Sequence, residues 1–326
     1  MTDAGPPAWE RAVLEKVALK ALDEQRRARQ WSALFKLLWF ILAFMIVAAW
    51  LGWLGRGSDK DSVVTNGKHT ALVELEGVIA PEGKASADKI IKALDRAFKD
   101  SNTQGVVLRI NSPGGSPVQA GYINDEMKRL RAKYPNVPLY VVVEDLCASG
   151  GYYVAAGADK IFVDKASLVG SIGVIIATFG FTGAMEKLGV ERRAYTAGTN
   201  KDMLDPFAPE NPEQKAHVQK MLDEVHQQFI KVVRDGRGKR LKETPEMFSG
   251  LIWTGEKSIE LGLADGYGSL ESVARDVVKA EKVVDFSPKE NVFEQLSGRL
   301  GAQFGAAFAE AAARSAVQSL GGATPR

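Results

Sequence analysis

Cysteine, histidine and net charge are all scarce in this chain of 326 residues. It has one Cys, three His, and 42 Lys plus Arg against 40 Asp plus Glu. A single cysteine, Cys147, excludes a disulfide-stapled scaffold. Three histidines leave almost no material for a His-based triad or a His metal site. His217 and His226 are nine apart on one predicted helix and so point to opposite sides, while His69 falls in a predicted linker. A formal charge of +2 is too small for the basic footprint of a nucleic-acid binder. No Walker loop, dinucleotide-binding glycine fingerprint, HExxH or Cys/His cluster is present, so neither cofactor nor metal is expected. No solenoid-period repeat is present either. With 25% charged and 45% hydrophobic residues the chain is ordinary globular material, not a disordered or collagen-like one.

What charge there is lies in one place. Residues 1–36 hold seven Lys/Arg and five Asp/Glu, so the remaining 290 carry 35 of each and sum to zero. Directly afterwards Leu37–Leu54 reads LLWFILAFMIVAAWLGWL, 18 residues without a charge. At 1.5 Å per residue that is roughly 27 Å, close to a bilayer's hydrocarbon thickness. Trp31, Trp39, Trp50 and Trp53 lie near its ends as interfacial anchors would, and Lys36 can snorkel. The expectation is a transmembrane helix over 31–54. A buried core helix and a cleaved signal peptide are the alternatives, the latter opposed by the depth and length of the run. Arg26, Arg27, Arg29 and Lys36 precede the span, and Arg56 and Lys60 follow it. The positive-inside rule then keeps the N-terminus in the cytoplasm and exports the bulk of the chain. Residues 7–30 read as an amphipathic helix with Trp9, Val13, Val17 and Ala21 at i+4 steps, either a solvated stub or a partner site.

Beyond the span, residues 55–69 are polar and Gly/Ser/Asp-rich and read as a linker. From 70 to 281 short apolar runs alternate with helical patterns. Strands are expected at Ala71–Leu75, Gly105–Ile110, Leu139–Val143, Lys160–Val163, Ser171–Ile176 and Arg193–Thr196. Helices are expected at Ala87–Lys99, Val118–Lys133, Gly150–Ala156, Thr182–Leu188, Pro212–Arg234 and Gly255–Leu261. That alternation predicts one α/β domain with a largely parallel sheet. Residues 282–326 form a tail in which Leu300, Phe304 and Phe308 mark an amphipathic helix, either docked on a neighbouring subunit or mobile.

Two glycine-rich segments carry the candidate chemistry. Asn111-Ser112-Pro113-Gly114-Gly115-Ser116 follows a predicted strand and precedes a helix. Adjacent glycines there let backbone N–H groups approach a ligand as an oxyanion hole requires, although Pro-Gly-Gly is also an ordinary turn. Cys147-Ala148-Ser149-Gly150-Gly151-Tyr152-Tyr153 follows the next strand. A Ser at a tight strand-to-helix turn exposes its Oγ at the helix N-terminus, but Ser149 also suits a plain N-cap. Cys147 competes as nucleophile and reads better as a small buried hydrophobe. With so little histidine, a hydrolase here needs another base, and a desolvated lysine is the standard substitute.

The segments NSPGGS, ASGGYYVAAGADKIFVD and SLVGSIGVI, with Trp253–Lys257 and Glu260–Asp265 behind them, resemble the signal peptide peptidase A family of membrane-anchored bacterial serine peptidases. The resemblance spans roughly residues 70–281 in order, in the short form with one copy of each motif. It implies a crotonase-like (Clp-protease-like) fold and a Ser/Lys dyad with no cofactor. The family's nucleophile falls on Ser149 and its general base on Lys201 in Ala197–Asp202. A lysine-orienting Ser falls on Ser171, and oxyanion donors fall on Gly114 and Gly150. The resemblance further implies a homo-oligomer whose neighbouring protomers share a site. The implied substrates are signal-peptide remnants or other apolar peptides at the inner membrane, with the catalytic domain periplasmic. Two rivals remain: a crotonase-like acyl-CoA hydratase or isomerase, and a non-catalytic membrane scaffold.

Overall fold

A computed structural model describes residues 8–50 and 67–288. Trp53, most of the predicted linker and the tail stripe of Leu300, Phe304 and Phe308 lie outside the described residues. So do the side chains of Trp9, Val13, Val17, Ala21 and Trp50. The chain divides into two compact units, Met1–Val63 and Val64–Arg326.

The described part of the first unit is one continuous helix, α1 (Ala8–Trp50), where the sequence suggested a stub helix and then a span. Its apolar stretch Arg29–Val47 is long enough to cross a membrane by length and composition. None of Trp31–Val47 is buried.

The second unit is built on βαβ crossovers. Strands β1 (His69–Glu76), β2 (Thr103–Ser112) and β3 (Leu139–Ala148) pair in parallel, with α2 (Ala87–Lys99) and α3 (Pro117–Lys133) as the connections. Parallel strands are covered on both faces and so read as unbroken apolar runs. Val106, Val107, Leu108 and Ile110 on β2 and Leu139, Val141, Val142 and Val143 on β3 are all buried. Arg109 interrupts the run because it sits between Glu74 and Glu144 of the two flanking strands. Helix α2 buries Ile90, Ala93, Leu94, Ala97 and Phe98, one face at helical spacing. Ser116 caps α3 by accepting from the Gln119 N–H, with Pro117 in the first turn, which fixes where NSPGGS ends and the helix begins.

After β3 come α4 (Gly150–Ala155), β4 (Lys160–Val163), β5 (Leu168–Gly170) and α5 (Thr182–Leu188). They are followed by α6 (Pro212–Arg237), β6 (Ile252–Thr254), α7 (Gly255–Glu260), β7 (Gly266–Tyr267) and β8 (Val283–Asp285). The sheet runs β6-β5-β3-β2-β1-β8, with β4 pairing off β3 and β7 pairing in turn with β4. Strand β3 changes partner along its length. Tyr140–Val142 pair with β4, whereas Leu146–Ala148 pair with β5.

Four expectations are corrected here. Ser171–Ile176 and Arg193–Thr196 are not strands: the only strand near the first is β5, which ends at Gly170 where φ reaches +111°, and the second lies in a wholly exposed stretch. His69 is not linker. It opens β1, is fully buried, and shares a hydrogen bond with Thr103 while stacking on Phe286. At the other end β8 pairs with β1, so the sheet extends past residue 281 into the predicted tail.

A buried ion pair ties α6 to the sheet. Arg237 is fully buried, donating from Nε to Gly262 O and from a terminal nitrogen to Asp265 Oδ2, each at 2.8 Å. Asp265 also accepts from the Ile161 N–H at 2.7 Å and from Arg240 at 3.1 Å. Burial alone would raise the Asp265 carboxyl, but the Arg237 bond and charge, the Ile161 N–H and Arg240 together hold it below the usual carboxylate range. Removing the carboxylate strands a buried guanidinium. Asp265→Ala is therefore expected to cost about 3–5 kcal/mol, read as a lower unfolding midpoint of the full chain. The stabilisation from Asp265 is fully present above the ordinary Asp value of about 3.9 and is lost as pH falls through its lowered folded value. A pH series of wild-type and Asp265→Ala midpoints should therefore converge in acid, and a constant gap would contradict the assignment.

Candidate active site

The end of β3 builds the site. Ser149 has φ 52° and ψ −122°, a conformation that L-residues rarely adopt, at a cost of order 1–3 kcal/mol. Its neighbours hold it there: its N–H donates to Gly170 O at 2.8 Å, and its carbonyl accepts from the Tyr153 N–H at 2.9 Å as α4 begins. The N-cap alternative fails, because the Ser149 side chain makes no capping hydrogen bond. Its Oγ is left for the cleft that it lines.

The NSPGGS turn lies against this elbow because Ser112 pairs with Cys147 across β2 and β3. A Cβ on Gly114 would sit 2.6 Å from Gly150 N and 2.8 Å from Ser149 Cβ, so only glycine permits the approach. The two predicted oxyanion donors do not, however, stand alike. Gly114 N–H is buried and donates to Ser112 Oγ at 3.1 Å, and that hydroxyl in turn donates to Gly77 O at 2.6 Å. The predicted Gly114 donor is therefore already engaged. The next residue, Gly115, lines the cleft with Gly150, and neither N–H has a partner among the described residues. Gly115 N lies 3.2 Å from where a Cβ on Gly150 would be. What separates Gly114 from Gly115 here is Ser112, which sequence spacing could not show to be a competing acceptor.

The cleft has a volume of about 750 Å³. Its floor is Ser149, Gly150 and Tyr153, one wall comes from α3 and the other from Val225, Gln228 and Phe229 of α6. Tyr153 packs on Phe229 with ring centres 5.1 Å apart. Ser171 lines the same cleft, also at positive φ (51°), its N–H donating to Leu251 O at 2.7 Å. Sequence elimination of histidine missed His226. Its Nε2 lies 3.1 Å from Ile172 O, beside Ser171, so α6 braces this strip from behind. Nothing local in the sequence signals that contact, which spans 54 residues.

Lys201 is not in this cleft. It is exposed and lines a separate, shallow cavity of about 330 Å³ with Arg192, Thr196, Asp202 and Asp205. The structure thus brings together Ser149, Gly150, Ser171 and the Gly114–Gly115 turn, and leaves Lys201 apart from them within one chain. Lys201 belongs to a long exposed segment: between Ile172 and Val218 no residue is buried. That arm is nonetheless folded on itself, through Phe181 N–H to Pro206 O at 2.7 Å, an Arg192–Asp205 ion pair and a Phe181–Phe207 stack.

Among the described residues no cluster of His, Cys, Asp and Glu could hold a metal ion. The rival nucleophile is inert by position. Cys147 is fully buried inside β3, and burial pushes its thiol well above the ordinary cysteine value.

The family model described as peptidase family S49 matches residues 131–284. An Enterococcus faecium protein named as a signal peptide peptidase SppA is 32% identical over 226 residues, 67% of this chain and 65% of that one. A Methanocaldococcus jannaschii protein named as a protease is 36% identical over 218 residues, 65% of this chain and 69% of that one. A Brucella melitensis protein named as the Na(+)/H(+) antiporter NhaA is 43% identical over 209 residues, 63% of this chain. The match spans only 28% of that Brucella protein, so most of what its name describes lies outside the shared region.

The inertness of Cys147 is open to measurement. The native protein should not react with a thiol-specific chromogenic reagent at neutral pH, and should release one equivalent once unfolded in denaturant. Rapid native labelling, or loss of fluorophosphonate reactivity in Cys147→Ala, would return this thiol to contention.

Proposed function

The chain belongs to peptidase family S49, the signal peptide peptidase A family of serine peptidases, and on that footing we propose an acyl-enzyme mechanism with Ser149 as nucleophile. The observation that carries it is the Ser149 elbow, which lines a cleft beside the Gly115 and Gly150 N–H groups, its Oγ and both N–H groups having no partner among the described residues. Ser149 Oγ attacks a peptide carbonyl, its proton passes to a neutral lysine, and the Gly115 and Gly150 N–H groups receive the developing oxyanion. The C–N bond breaks as the lysine returns the proton to the leaving amine. Water, deprotonated by the same lysine, then releases the acyl group and regenerates Ser149. Membership of a peptidase family sets aside the acyl-CoA hydratase alternative.

The lysine in this reading is Lys201 of a neighbouring copy of the chain. Support comes from its separation from Ser149 within one chain and from the apolar surface of the arm that carries it. Ile175 (82% exposed), Phe179 (77%), Leu188 (77%) and Tyr195 (94%) would be costly to leave in water. A second copy packed on the arm covers that surface and shields the lysine from water. In this reading Ser171, which lines the same cleft, orients that lysine. Assembly and activity are then coupled.

The substrate class follows from the setting. The Arg29–Val47 stretch anchors the protein in the inner membrane with its N-terminus in the cytoplasm, on the charge asymmetry around it, and the peptidase unit faces the periplasm. A site tethered near the bilayer, with Val118, Tyr122 and Phe229 in its walls, suits apolar peptides such as signal-peptide remnants.

Two variants test the shared site. Ser149→Ala and Lys201→Ala, each alone, should lower kcat by about 10³-fold or more, and fluorophosphonate labelling should be lost in the first. Co-expression of the two variants should restore part of the activity, because some sites then pair a native Ser149 with a native Lys201. Absence of recovery in a co-purified mixed assembly would place both groups in one chain. Labelling that persists in Ser149→Ala would refute the nucleophile.

A further inference from the structure

The side chains lining the Ser149 cleft are apolar or neutral with one exception, Asp125. It sits on α3 at helical spacing from Val118 and Tyr122, so all three share the face that forms the cleft wall. Asp125 is exposed and has no hydrogen bond or ion pair among the described residues. Its charge is felt on the floor: the Tyr153 phenol is pushed up first by burial and then by the Asp125 carboxylate. Elsewhere on α3, by contrast, Glu126 pairs with Arg129 and Arg131 with Asp159. An unpaired anion in the wall of an apolar cleft attracts a cation and repels an anion, and the low-dielectric walls strengthen both effects.

The helix also sets where that cation would lie. Pro117 adjoins the Gly115 turn beside Ser149, and Asp125 is eight residues further along, about 12 Å at 1.5 Å per residue. An extended peptide covers the same length in roughly three to four residues.

We propose that Asp125 makes this cleft selective for apolar peptides that present a cationic group three to four residues from the cleaved bond. The cation is an ammonium or guanidinium, supplied either by a Lys or Arg side chain or by a free peptide N-terminus. Positions between it and the cleaved bond face Val118 and Tyr122 and take apolar residues. This inference rests on the reading of Ser149 as the nucleophile.

The test uses the full-length protein in detergent and a set of apolar peptides differing at one position, Lys against norleucine, moved stepwise to either side of the cleaved bond. Each peptide is made with a free and with an acetylated N-terminus, which separates the two sources of positive charge. In one register Lys or the free terminus should raise kcat/KM by roughly fivefold over its neutral counterpart. In Asp125→Asn that ratio should fall to about one, and Asp125→Glu should keep part of it. Equal cleavage of charged and neutral peptides in every register, or a preference that survives Asp125→Asn, overturns the inference while leaving the peptidase reading intact. Cleavage of no peptide by the wild-type protein overturns both.

Discussion

The hydrogen bond from Ser149 N–H to Gly170 O is the contact on which the site depends. A non-glycine residue at φ 52° persists only where its surroundings over-determine it. Here β5 holds the elbow from one side, and the Gly114–Gly115 turn closes on it from the other. Both supports exist because β3 changes partner, pairing with β4 through Tyr140–Val142 and with β5 through Leu146–Ala148. The switch leaves Ser149 as the first residue beyond the last pair, where its side chain projects into the cleft. Ser112 completes the arrangement by engaging Gly114 N–H, which makes Gly115 the residue of that turn whose N–H is unengaged.

Around this rigid elbow the second unit divides into parts with different physics. The sheet and its helices bury long aliphatic runs, and the Arg237–Asp265 pair fixes the C-terminal end of α6 to that core. Between Ile172 and Val218 no residue is buried, yet the segment is held by internal bonds and carries large exposed apolar side chains. A segment that is ordered but unburied is suited to packing against another molecule, and it bears Lys201. The fold therefore places the proposed nucleophile on its most constrained element and the proposed base on its least covered one.

Much of this organisation was legible from local patterns. Helices α2 to α7 fall close to where helical periodicity puts them, and the structure adds caps at Ser116 and Asn211, because amphipathic faces and orphan N–H groups are local features. The buried halves of β1 to β4 are continuous apolar runs for the same reason. The misreadings share a cause. Ser171–Ile176 and Arg193–Thr196 are rich in strand-favouring residues, but whether such a run pairs depends on what lies beside it. His69 looked like linker because its neighbours on the N-terminal side are polar; Thr103 and Phe286, its actual partners, are 34 and 217 positions away. Gly114 and Gly115 are indistinguishable by type and spacing, and only the position of Ser112 Oγ separates them.

The sequence by itself determined the α/β alternation, the uncharged stretch behind a basic segment, and the residue types able to perform acyl transfer without histidine, since these rest on composition and short-range periodicity. It also offered Ser149 and Cys147 as candidate nucleophiles. Tertiary structure set them apart, burying the thiol within β3 and leaving Ser149 at the elbow that lines the cleft. It decided as well that Asp125 enters the cleft and that Lys201 stands outside it. Those outcomes depend on which distant segments become neighbours, and sheet order is set by the packing of the whole domain.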